Sequence, residues 1–221
     1  MNAHPLSGAY FNTLPHLFPI FINEWWYTCR SNSTNTAISG TIDHGKWEIT
    51  IDQELIHVVL DSPAKGDFVA FPTKEEARAS LSVIGFSKPK DTNLYSAFSP
   101  RWKFIISSII RSLRGKSGNT GELNEFETQI LSSFINRKTI NYAELYFSEL
   151  LKLVNDSARN FNVPFIQLFS LCFEHRIGES IYLSMANSVV DIPFHVLTTK
   201  VFNHNILPNE TPYNCSHAVL D

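Results

Sequence analysis

S-P-R-W-K-F-I-I-S-S-I-I-R-S-L-R-G, from Ser99 to Gly115, reads as a helix from end to end. Ser99 suits the N-cap, Pro100 the first helical position, and Gly115 the left-handed residue beyond the last turn. Trp102, Ile105, Ile106, Ile109, Ile110 and Leu113 recur at helical spacing on one face, which such a helix must bury. Arg111 and Arg114 fall in the last turns, where the helix dipole favours cations. A chain built round this element is expected to be mainly α.

Downstream, L-N-E-F-E-T-Q-I-L-S-S-F-I-N places Leu123, Phe126, Ile130 and Phe134 on one face, with acidic residues crowding the first turn. Asn141 and Glu144 form a pair like a capping box, and Ile140 and Leu145 are spaced as a hydrophobic staple for a helix to about Asn155. Pro164 opens F-I-Q-L-F-S-L-C-F-E-H-R-I, apolar nearly all round and stopped by Gly178, as expected of a centrally buried helix. I-Y-L-S-M and S-V-V read as short extended pieces.

Upstream, Thr73 and Glu76 make a capping box for a helix to Ile84, and Lys88 to Asn93 is a polar linker. Phe68 to Phe71 is extended. Asp52 can cap a short helix to Leu60, which Asp61-Ser62-Pro63 ends. A-I-S-G-T-I and K-W-E-I-T-I flank Asp43-His44-Gly45, residues that tolerate positive φ, and Trp47, Ile49 and Ile51 alternate with polar neighbours. That is the pattern of a β-hairpin. I-F-I-N-E-W-W-Y-T-C-R after Pro19 is a helix candidate, followed by a polar loop from Ser31 to Thr36. The expected fold is mainly α (α+β), an irregular helical domain at 15–186 with a small N-terminal β-hairpin near 36–51. A flexible lead-in at 1–14 and an irregular, proline-broken C-terminal arm at 187–221 flank it.

The 221 residues include 43% hydrophobic ones and a net charge of −3, enough apolar material for one packed domain and no general affinity for polyanions. Three cysteines are too few for a disulfide framework. The first residues carry neither a basic segment nor an apolar core of a signal peptide, and no apolar run approaches the roughly 20 residues of a membrane span. The expectation is an intracellular chain, cytoplasmic or nuclear, with no membrane partner.

Chemical motifs are sparse. G-K-S at Gly115 to Ser117 resembles the end of a phosphate loop, but Ile110 stands where its first glycine belongs and a helix, not a strand, precedes it. Asp61-Ser62-Pro63 lacks the glycine of an aspartic-protease loop. His204, Cys215 and His217 lie closest to a metal set but lack ligand spacing, and no G-x-S-x-G elbow raises a nucleophile. His175 reads as a partly buried structural histidine, and Cys172 as an inert thiol on an apolar helix. No catalytic residue, metal or cofactor is expected. Two features remain. Between Asp91 and Glu122 there is no acidic residue, while Arg101, Lys103, Arg111, Arg114 and Lys116 all fall there, a candidate nucleic-acid contact. Trp25 and Trp26 are adjacent, so one helix face cannot bury both; core packing is favoured, with an interaction surface as the other reading.

Several segments carry a likeness to a known family. They are E-W-W-Y-T at Glu24 to Thr28, W-E-I-T-I-D at Trp47 to Asp52, and F-P-T-K-E-E-A-R-A-S-L at Phe71 to Leu81. F-S-P-R-W-K-F-I-I at Phe98 to Ile106, I-N-Y-A-E-L-Y-F at Ile140 to Phe147, and the block from Phe165 to Glu179 complete the set. In order and spacing, from about Asn23 to Tyr182, the chain resembles a plant retrotransposon-associated family, the plant transposon proteins with gag-like or envelope-like reading frames. It departs from that pattern at Trp26 and in the length of the loop at 115–121. The resemblance implies descent from a transposable element and brings no catalytic residue with it. The expected function is a non-enzymatic protein-interaction or self-assembly (gag-like) domain, its partners further copies or other element-encoded proteins. The alternative is a nucleic-acid-binding accessory module using the basic helix end.

Overall fold

The computed structural model describes residues 18–62, 65–84, 86, 98–99, 102–103, 106, 123–156 and 163–185, and these form seven helices and one three-stranded antiparallel sheet. The domain is mainly α with its small sheet near the N-terminus. In order, the elements are α1 (Pro19–Thr28), β1 (Arg30–Ser31), β2 (Ala37–Ile42), β3 (Trp47–Asp52), α2 (Gln53–Val59), α3 (Lys74–Val83), α4 (Glu125–Asn136), α5 (Tyr142–Asn155), α6 (Ile166–Ile177) and α7 (Glu179–Met185). No helix among the described residues is long and apolar enough to cross a membrane.

The hairpin forms in the register its alternation demands, with Ile38 opposite Ile51 and Ile42 opposite Trp47. Asp43, His44 and Gly45 all take positive φ at the turn. The sequence reading left out β1. Arg30 and Ser31 pair with Ser39 and Ile38, and Asn32 then closes the loop, its Oδ1 accepting from the Thr36 N–H at 2.8 Å. A two-residue strand has no period to detect, so only its neighbour reveals it.

Helix α1 lies on β2. Gly40 permits the approach, since a Cβ there would stand 2.9 Å from Trp25 and Cys29 atoms. Thr28 Oγ1 accepts the Thr41 N–H at 2.9 Å, and Trp25 Nε1 donates to the Ile49 carbonyl at 2.9 Å. The buried Glu24 carboxylate reaches the turn and accepts from the N–H groups of His44 and Gly45 at 3.2 and 3.0 Å. Helix and hairpin are thus tied at three levels.

The other side of α1 meets α6. Trp25 packs on Phe169 and Phe173 at 4.9 and 5.8 Å, and Trp26 on Phe169 at 6.1 Å. Both tryptophans are buried, which corrects the interaction-surface reading of Trp25 and Trp26. Adjacent residues point about 100° apart, and both directions are covered when a helix is sandwiched between a sheet and a second helix.

The capping signals in the sequence become helix starts. Asp52 Oδ1 accepts the Leu55 N–H at 2.8 Å, and Thr73 and Glu76 form a complete capping box. Asn124 and Glu127 form another, and Arg137 in the left-handed region ends α4. At α5, Asn141 caps Glu144, but the Glu144 carboxylate accepts from the Asn141 side chain instead of its backbone, so the box is half made. Gly178, at φ 90°, stops α6 as expected. The extended reading of I-Y-L-S-M is overturned: these residues belong to α7. The Tyr182 N–H bonds to the Gly178 carbonyl, its ring packs 4.5 Å from Phe18, and its hydroxyl lies 3.2 Å from Ser170 Oγ. Tertiary contacts outweigh an apolar-polar alternation only five residues long.

Two apolar cores result. The larger one gathers α1, the sheet, α2, α5 and α6 around Trp25, Ile38, Tyr146 and Phe169. A smaller one joins Leu81 of α3 and Leu131 of α4 to Phe98, Ile106 and Leu123. The helix expected from Ser99 shows here only in part. Trp102, Lys103 and Ile106 are helical, the Lys103 N–H bonds to the Ser99 carbonyl at 2.9 Å, and Trp102 packs on the small core. The rest of that helix, the lead-in at 1–14, S-V-V and the C-terminal arm lie outside the described residues.

Candidate functional site

Helix α3 carries few apolar residues, and it buries Ala77, Ser80 and Leu81. Leu81 joins Leu131 of α4 in the small core, and beside them the small Ala77 and Ser80 leave room for a polar contact. Ser80 Oγ donates to the Glu76 carbonyl at 2.8 Å and meets Ser132 Oγ at 2.9 Å. Asn136 Nδ2 donates to Ser80 Oγ at 2.7 Å, to the Ser132 carbonyl at 3.0 Å and to Ser132 Oγ at 3.2 Å. With the Ser80 proton committed to Glu76, Ser132 is the donor in the hydroxyl pair. A hydrogen-bonded seam therefore joins the two helices beside their shared apolar core.

The segment before α3 runs alongside this seam. The Val69 N–H bonds to the Thr139 carbonyl at 3.1 Å, and Gln129 Nε2 donates to the Pro72 carbonyl at 3.3 Å. Between this segment, α3 and the C-terminal half of α4 lies an open trough of about 510 Å³. Val69, Phe71, Pro72, Val83 and Ile140 give it apolar walls, and buried Ser80 and Ser132 give it a polar floor. Val83 is 75% exposed and Val69 40% exposed, so two of the exposed large apolar side chains among the described residues line one concavity.

Charge at the trough is slight. Hydrogen bonds from the backbone and side chain of Thr73 hold the Glu76 carboxyl below its ordinary range, with a smaller contribution from Lys138. The neighbouring Tyr142 hydroxyl, 2.7 Å from Ser133 Oγ, is pushed up to about 12 by burial, against the opposing hydrogen bond from Ser133. Neither histidine nor cysteine lines the trough, and the floor serines are already hydrogen-bonded. Such an arrangement can hold apolar side chains of another chain and offers no activated nucleophile.

The residues singled out from the sequence lie elsewhere. Arg101, Arg111, Arg114 and Lys116 lie outside the described residues; Lys103 is described and half-buried. Trp25 and Trp26 are core. His175 is exposed in the last turn of α6 instead of partly buried, although Leu168 and Cys172 on the same side are buried, so the cover over that side ends before the last turn. Cys172 is fully buried and its thiol is pushed up by that burial. No group of three His, Cys, Asp or Glu residues among the described residues could hold a metal ion, and His204, Cys215 and His217 lie outside them. Buried His57, which the sequence reading passed over, has Nδ1 3.1 Å from Ser62 Oγ, and desolvation lowers its pKa. Trp47 Nε1 and Gln167 Oε1 are buried without hydrogen-bond partners, and neither residue lines the trough.

The sequence carried one signal for the trough. Val83 follows buried Ser80 by three residues, about 60° round the helix, and so flanks the buried stripe. An apolar residue flanking the buried stripe of a short polar helix marks a surface, but its partner walls come from segments distant in the chain. No protein-family model, curated protein or solved structure matches this chain.

Proposed function

We propose that this chain is a non-enzymatic, self-assembling interaction domain of the gag-like kind, descended from a plant transposable element, and that a second copy docks in the trough beside α3. The observation that carries the reading is the pairing of exposed Val83 and Val69 on an apolar-walled concavity with a hydrogen-bonded floor. Interfaces centre on such apolar pockets, whose desolvation drives association. The resemblance of Glu24 to Thr28, Phe71 to Leu81 and the other quoted blocks to element-encoded proteins supports the origin and points to copies of the chain as the partner.

Light scattering across a concentration series tests it. The wild type is expected to form dimers or larger species, and Val83→Asp to weaken association by tenfold or more, an effect of about 1.4 kcal/mol or above. Because Val83 is largely exposed, the variant should keep the wild-type urea midpoint. A wild type that stays strictly monomeric at high concentration refutes the proposal, as does undiminished association of Val83→Asp.

A second reading, a nucleic-acid-binding accessory module, is favoured by the acid-free run between Asp91 and Glu122 with its five cations. It requires salt-dependent binding to single-stranded or duplex nucleic acid that Arg111→Glu with Arg114→Glu abolishes. Binding that survives both changes excludes this patch.

A further inference from the structure

We draw no further inference here: the strongest candidate, the pocket of about 290 Å³ between α3 and the start of α4, lined by Lys74 and Arg78, carries nothing because Glu125 shares the lining, Asn124 and Glu127 already cap that helix end, and no second feature among the described residues points to a ligand.

Discussion

Gly40→Ala probes the join between α1 and the hairpin. Gly40 has no positive φ, so alanine can adopt its backbone conformation. Through the unfolded chain alone the exchange would stabilise the protein by about 0.4–1 kcal/mol. The new methyl, however, would sit 2.9 Å from each of three atoms: Cys29 Cβ, Trp25 Cδ1 and the Trp25 carbonyl oxygen. One of these is backbone and another is a Cβ, so no flexible side-chain tip can swing aside. Overpacking of this kind costs about 1–3 kcal/mol. Relief would need α1 to lift from β2, which lengthens the bonds from the Thr41 N–H to Thr28 Oγ1 and from Trp25 Nε1 to the Ile49 carbonyl, both now 2.9 Å. Weakening them adds about 1 kcal/mol, for a net destabilisation of about 2 kcal/mol. Urea denaturation should show a lower midpoint at unchanged slope. Gly66→Ala is the control, since a Cβ there meets nothing within 4 Å and its φ is not positive; it should stay within about 0.5 kcal/mol of wild type. A Gly40→Ala protein as stable as the control would mean that α1 does not seat on β2 as described.

Two further outcomes follow from the polar groups. Ser80→Ala removes one acceptor from Asn136 and the partner of the Ser132 hydroxyl, so it should destabilise by about 1 kcal/mol, and Ser80→Ala with Ser132→Ala should cost less than the two single changes summed. Strict additivity in denaturant melts would show that the seam is not one network. Burial lowers the His57 pKa, so below about 6.5 the unfolded chain takes up the proton first and stability falls with pH, levelling off below the folded-state value. Above that range the group adds no pH dependence. His57→Asn should flatten this part of a stability–pH curve; an unchanged slope between wild type and variant would place the titration elsewhere.

Helix starts were legible wherever the signal was local. Asp52, Thr73 with Glu76, and Asn141 each bond to an amide three residues ahead, so their side chains and spacing carry the information whatever surrounds them. The hairpin was legible for the same reason, because alternation and a turn tolerant of positive φ are properties of 16 consecutive residues, Ala37 to Asp52. The trough was not legible. Its walls come from 69–72, α3 and residues 132–140, and the seam that spaces them pairs Ser80 with Ser132 across 52 positions. A serine on a polar helix looks solvated until its partner is known. Tyr182 was misjudged for the same reason, since it was read as extended from its own neighbourhood and is placed in a helix against Phe18.

The mainly α character, the hairpin and the caps at Asp52, Thr73 and Asn141 follow from the sequence alone, because backbone hydrogen bonding and amphipathic period act over one to four residues. Which surfaces stay exposed is decided by tertiary structure. Burial of Trp25 and Trp26 needs a sheet on one side of α1 and α6 on the other, while exposure of Val83 needs the segment 69–72 and α4 to border α3 without closing over it. Both depend on contacts between residues distant in the chain, and no local pattern encodes those.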